Sequence, residues 1–203
     1  MIERYPFYER ICHWLTGFAY IYCLATGLAF YSPYLFWIAV VLGGAPTSRF
    51  WHPLTGLVFF GAAMWMHHIW RGDVVMEPAD KEWLDKAKYY VTNEDEKVPP
   101  QGKYNAGQKL FYWAMYYGAI LLILSGALMW FPELVPTGLR AIRPLAIFVH
   151  EGAALITVGA FMIHVYMGIF MVPGSVDAML HGFVSKDWAK AHHRLWFQQK
   201  TGE

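Results

Sequence analysis

Apolar positions in this chain gather into long blocks, with polar residues concentrated between them. From Leu110 to Pro132 there is no Lys, Arg, Asp or Glu, and the same holds from Ile11 to Ser48. About 20 apolar residues suffice to cross a bilayer as a helix. The blocks predict four transmembrane helices at about 11–31, 52–70, 110–131 and 146–171. Residues 32–48, "SPYLFWIAVVLGGAPTS", are too short for another full span once turns are allowed. They read as an interfacial or re-entrant hairpin, with a fifth span as the alternative. The second helix opens on His52-Pro53, where proline suits a first turn. Within the 71–109 loop, Trp83, Leu84, Ala87, Tyr90 and Val91 recur at helical spacing after Pro78, which predicts a short amphipathic helix on the membrane surface. Trp188, His192, Leu195 and Trp196 predict another in the tail, 174–203. The expected fold is an all-α membrane protein, a four-transmembrane-helix bundle forming a single domain over residues 1–203.

Composition agrees. Of 203 residues, 57% are hydrophobic and 15% charged, where soluble domains carry about 25% charged residues. The expected surroundings are a lipid bilayer. A net charge of +1 gives no electrostatic support for a nucleic-acid partner. Arg and Glu crowd residues 1–10, so the first apolar block reads as a retained helix rather than a cleaved leader. Cys12 and Cys23 would lie about 16 Å apart on one helix, too far for a disulfide.

Basic residues set the expected direction. Arg4 and Arg10, seven residues of the 71–109 loop (Arg71, Lys81, Lys86, Lys88, Lys97, Lys103, Lys109) and four of the tail (Lys186, Lys190, Arg194, Lys200) make thirteen on one side. Arg49, Arg140 and Arg143 make three on the other. Both termini and the 71–109 loop are therefore expected in the cytoplasm.

Ionisable residues inside a membrane point to function. With this topology His52 and His150 lie at the outer level, and His13 and His164 at the inner one. His150 and His164 are separated by about 21 Å along one helix, yet only about 40° around it. Two facing imidazoles at one depth suit the two axial positions of a haem iron, an arrangement that favours electron transfer. Gly17, Gly56, Ala154 and Gly168 follow the four histidines at i+4, on the same helix face. A small residue there admits a flat macrocycle, although small residues also serve helix packing. The pattern alone leaves open two haems, one haem, or a transporter or other metal site. His67 and His68 compete with His13 for the inner position. Arg49, Arg140 and Arg143 are either propionate partners or ordinary interfacial arginines. His181, His192 and His193 read as surface or partner contacts of the tail, and Glu151 is assigned no chemistry.

Six motifs follow one another: "ERICHWLTG" (9–17), "RFWHPLTG" (49–56), "KYNAGQK" (103–109), "HEGAAL" (150–155), "MIHVYMG" (162–168) and "WAKAHHRLW" (188–196). Together they resemble the cytochrome b (gamma) subunit of respiratory membrane-bound formate dehydrogenases of the N/O type, over nearly the whole chain. The resemblance implies two b haems. His52 and His150 would hold the outer iron, His13 and His164 the inner. It also implies that a quinone, menaquinone or ubiquinone, is reduced on the cytoplasmic side at Asn105, Gly107 and Gln108, with His164 within reach.

The implied partners are an iron–sulfur (beta) subunit with its own membrane helix and a molybdenum- or tungsten-containing catalytic (alpha) subunit. The family often assembles as a trimer of such heterotrimers in the cytoplasmic (inner) membrane. The expected function is electron transfer from the iron–sulfur subunit through outer and inner haems to the quinone, with formate oxidised on another subunit. The alternative is the cytochrome b subunit of a related hydrogenase or thiosulfate/polysulfide reductase complex. Asn105 also reads as a helix N-cap before Leu110, a role compatible with quinone binding.

Overall fold

The computed structural model describes residues 1–92 and 94–203. The chain begins with strand β1 (Ile2–Glu3) and runs into helix α1 (Phe7–Tyr31). Short helix α2 (Trp37–Val41) and long helix α3 (Ala45–Trp70) follow. The loop beyond α3 carries α4 (Pro78–Asp85) and α5 (Ala87–Val91), and leads to the long helices α6 (Ala106–Trp130) and α7 (Ile142–Tyr166). The tail holds α8 (Ser175–His181), β2 (Phe183–Val184), α9 (Lys186–His192) and α10 (Arg194–Thr201). The fold is thus mostly helical, as expected. One addition is a minimal antiparallel strand pair, Ile2 opposite Val184 and Glu3 opposite Phe183.

Among the described residues, three helices are long and apolar enough to cross a membrane: Phe7–Tyr31, Ala106–Trp130 and the stretch Ile142–Met171. α3 has the length, 26 residues, but carries Ser48, Arg49, His52, His67 and His68, which dilute its apolar character. Every long helix starts earlier than the apolar pattern suggested, at 7, 45, 106 and 142 instead of 11, 52, 110 and 146. Polar first turns hide helix starts from a hydropathy reading. α3 shows this best. Pro53 lies inside the helix, while the first-turn proline is Pro46. The turn before it uses Gly43 and Gly44 at φ of +96° and +95°, which side-chain-bearing residues rarely adopt. The 32–48 stretch comprises a 3-10 turn at Pro33–Leu35, α2, this tight turn and the first residues of α3, and no fifth long helix occurs among the described residues.

Chain contacts divide the protein into two compact units. One comprises Met1–Arg10, His67–Ala114 and Ala160–Glu203, and the other Ile11–Met66 and Met115–Gly159.

In the second unit α1 runs antiparallel to α3. The Cys12 thiol donates to the Ala62 carbonyl at 3.4 Å and the Cys23 thiol to the His52 carbonyl at 3.6 Å. Neither cysteine forms a disulfide. α6 and α7 are also antiparallel and approach closely at Gly118, where a Cβ would overlap the γ-methyl of fully buried Thr157. A hydroxyl such as Thr26 avoids the cost of burial by donating to a carbonyl one turn back, here that of Tyr22 at 2.8 Å.

The first unit is built around the loop and the tail. Trp83, Tyr90, Ala106 and Val172 form a buried cluster, with Ala87, Met167, Met171 and Trp188 packed against it. The expected amphipathic helix exists as α4 and α5. Its inward face is Trp83, Ala87 and Tyr90, whereas Leu84 and Val91 remain exposed. α4 starts with a capping box between Glu77 and Asp80. The Asp80 carboxylate also accepts from the Lys109 ammonium at 2.8 Å, an ion pair buried on both sides.

Candidate haem and quinone sites

His52 on α3 and His150 on α7 both belong to the second unit. Their ring centroids lie 6.3 Å apart, with planes inclined by 57°. A metal–nitrogen distance of about 2 Å on each side, plus about 1.1 Å from each nitrogen to its ring centre, gives roughly 6 Å for two imidazoles on one metal.

Hydrogen bonds fix which nitrogens are available. His52 Nδ1 lies 2.7 Å from the Thr26 hydroxyl, and His150 Nδ1 lies 3.0 Å from the Ser125 hydroxyl. Each hydroxyl gives its one hydrogen to a backbone carbonyl, Thr26 to Tyr22 and Ser125 to Leu121. Each therefore accepts from the imidazole, so Nδ1 carries the proton and Nε2 keeps its lone pair. Room for a flat group exists beside the helix: a Cβ on Gly56, one turn beyond His52, would meet no atom within 4 Å. Donor set, spacing and clearance all fit a bis-imidazole haem.

His13 and His164 belong to different units. His13 sits half-buried in the second unit, edge-on to Trp14 with ring centroids 5.2 Å apart. Gly17, at its i+4 position, also has open space beside it. His164, in the first unit, stacks on Phe111 at 4.3 Å between centroids and 5° between planes. Directly after it α7 relaxes into a π-helix over Met167–Met171, a distortion common at functional sites. Of the rival histidines, His67 pairs its Nδ1 with the Tyr112 hydroxyl, and His68 is exposed. Arg49, Arg140, Arg143 and Glu151 are all exposed.

The stretch 103–109 lies wholly in the first unit. Asn105 is the N-cap of α6 and Gln108 its third residue. The Gln108 backbone N–H donates to Asn105 Oδ1 at 2.9 Å, and the Asn105 N–H donates to Gln108 Oε1 at 3.0 Å. This reciprocal box occupies both amide oxygens. Among the described residues the two side-chain NH2 groups have no hydrogen-bond partner. Gly107 gives space to Trp83: a Cβ there would meet the indole at 3.5 Å and Asn105 Oδ1 at 3.4 Å. Gln108 lies one turn before Phe111, so the amide pair and the His164 ring are served by neighbouring turns of α6. Lys103 bridges the buried Glu9 carboxylate at 3.3 Å and Asp73 at 3.1 Å.

One tail assignment needs correction. His193 is no surface residue but 1% exposed. Its Nδ1 donates to the Gly102 carbonyl at 2.8 Å, and its Nε2 accepts from the Arg4 guanidinium at 3.0 Å. Arg4 is itself buried, packed over Tyr5, Trp188 and Trp196 at 5.0–5.2 Å from their ring centres. A pair of adjacent histidines in a polar tail carries no burial signal. Only the surrounding Trp188 and Trp196 hinted that this segment packs inward.

The profile of the prokaryotic cytochrome b561 family matches residues 4–182. The formate dehydrogenase cytochrome b556(fdo) subunit of Escherichia coli K12 is 33% identical over 204 residues, covering 100% of this chain and 95% of the relative. The chain belongs to the prokaryotic cytochrome b561 family. The nitrate-inducible formate dehydrogenase cytochrome b556(Fdn) subunit of the same bacterium is 31% identical, covering 98% of this cytochrome chain and 91% of its own. The formate dehydrogenase cytochrome b556 subunit of Haemophilus influenzae is 28% identical over 98% of the chain. Family and apolar helices together make this cytochrome an integral membrane protein, and cytochromes of this kind carry haem b. The resemblance read from the six motifs is thereby borne out.

Proposed function

We propose that this cytochrome is the membrane-anchor subunit of a formate dehydrogenase complex, carrying electrons from an iron–sulfur subunit across the inner membrane to a quinone reduced on the cytoplasmic side. Its four long helices, α3 included, span the bilayer as one domain, with both termini and the 71–109 loop in the cytoplasm. The thirteen-to-three distribution of basic residues supports that direction. The partners are the iron–sulfur subunit with its membrane helix and a catalytic subunit holding molybdenum or tungsten.

The observation that carries this reading is the His52–His150 pair. Two rings 6.3 Å apart, both protonated at Nδ1, support an outer haem ligated through both Nε2 atoms. The motif resemblance assigns the inner haem to His13 and His164. Haem held by these histidines would supply reversible one-electron transfer. Asn105 and Gln108 bind the quinone: with their oxygens held in the capping box, their NH2 groups are left to donate to a quinone carbonyl. Gly107 keeps this rim low, and His164 stacks on Phe111, one turn beyond Gln108 on α6.

Formate added to the complex purified with this chain is expected to reduce its b-type absorption bands, and added quinone to reoxidise them. Bands that stay oxidised with formate but respond to hydrogen or a sulfur compound would overturn the assignment of the donor.

A further inference from the structure

The two outer histidines are held by the same device on different helices. α1 offers Thr26 followed by Gly27, and α6 offers Ser125 followed by Gly126. In each pair the hydroxyl receives the imidazole Nδ1–H, and the glycine lies against the ring. A Cβ on Gly27 would come within 3.7 Å of His52 Cε1, and one on Gly126 within 3.4 Å of His150 Cε1. Thr26 is completely buried and Ser125 nearly so, so water does not compete for these bonds.

Each hydroxyl is the middle of a two-link chain. The imidazole N–H donates to the hydroxyl oxygen, and the hydroxyl donates to a carbonyl one turn back, at 2.8 Å for Thr26 and 2.5 Å for Ser125. Successive bonds polarise one another in a dry interior. An acceptor at Nδ1–H fixes the tautomer and ring orientation and makes the opposite nitrogen a stronger donor to a metal.

We propose that Thr26 and Ser125 are positioning residues that set the reduction potential of the outer haem through His52 and His150. The inference rests on the reading of that pair as haem ligands. A stronger nitrogen donor favours the oxidised iron, so removing either hydroxyl raises the potential. Thr26 has the shorter bond to its histidine, 2.7 Å against 3.0 Å, and exerts the larger effect.

The test is a potentiometric titration of the haem bands in the intact complex, with electron paramagnetic resonance of the oxidised state. Four chains are compared: wild type, Thr26→Val, Thr26→Ser and Ser125→Ala. At fixed potential the reduced-to-oxidised ratio of the outer haem is expected to rise about tenfold in Thr26→Val, which for one electron is 59 mV. The rise is smaller in Ser125→Ala, and Thr26→Ser returns to the wild-type value with the wild-type resonance signal. An outer haem retained in Thr26→Val with unchanged potential and signal would overturn the proposal. So would its loss from Thr26→Val and Thr26→Ser alike, which would mark a purely structural role. Wild-type chain without a haem at His52 would instead refute the underlying ligand assignment.

Discussion

Asn105 and Gln108 cap one another: each side-chain oxygen receives the other residue's backbone N–H, at 2.9 and 3.0 Å. The polar stretch at the start of α6 therefore has a folding role independent of any ligand. The two roles use different atoms, so they can be separated. Asn105→Asp keeps the capping oxygen and removes the NH2, and aspartate is as good an N-cap as asparagine. That variant is expected to retain haem and thermal stability while quinone turnover falls at least several-fold. Asn105→Ala loses the cap as well, at about 0.5–2 kcal/mol. Unchanged quinone kinetics in Asn105→Asp, measured against haem content, would contradict the quinone assignment.

Lys109 ends the same stretch and is buried against Asp80 at 2.8 Å. Removing one partner strands a charge in the protein interior. Asp80→Asn or Lys109→Met is expected to destabilise the first unit by about 3–5 kcal/mol. The double variant is expected to recover part of that loss. Thermal unfolding of the solubilised complex reads this directly, and simple additivity of the two losses would argue against a coupled pair.

His193 joins the tail to Gly102 and to Arg4. Burial, and then the Arg4 guanidinium, hold its imidazole well below the usual histidine range; the nearby His192 acts in the same direction and the bond to Gly102 opposes it. Released from the clamp, the ring would titrate near its ordinary value of about 6.5. Below that pH the released tail binds a proton that the clamped tail does not, so clamp stability falls as pH falls. Above it the stability is fully present. The Leu195 amide, which donates to the Gln101 carbonyl at 3.0 Å, reports the state of the clamp. Its hydrogen-exchange protection is expected to be lower at about pH 5 than at about pH 7.5, and His193→Gln is expected to flatten the difference. Equal protection at both pH values in the wild type would contradict this.

Gly118 marks a close approach of α6 to α7. A methyl group there overlaps the Thr157 γ-methyl, and Thr157 is fully buried. Gly118→Ala is expected to cost about 1–3 kcal/mol by overpacking and to displace α7, which carries His150. Lower thermal stability together with a perturbed outer-haem spectrum is the expected outcome. Gly61→Ala, on α3 in open space, serves as a comparison for backbone effects alone.

Much of this was legible in the sequence because apolar length is a strong signal. The four long helices, the loop helix at Trp83 to Val91 and the matching of His52 with His150 follow from periodicity and spacing. The helix starts were not legible, since Pro53 resembles a first-turn proline while Pro46, behind two glycines, is the real one. The partners of His52 and His150 were also missed. A threonine or serine inside an apolar helix normally satisfies itself against its own backbone. The available signal was a hydroxyl–glycine pair repeated on two helices at the outer level, Thr26-Gly27 and Ser125-Gly126. His193 was misplaced for a different reason: its partners, Arg4 and Gly102, lie far away along the chain, and spacing cannot report them.

This chain is expected to hold two haems, the outer one between His52 and His150. The most direct measurement is haem content per chain, with reduced-minus-oxidised spectra, in wild type and His52→Ala. Two b haems in the wild type, with one lost and the other still reducible in the variant, is the predicted result. Fewer than two haems in the wild type, or an unchanged haem count in His52→Ala, would contradict it.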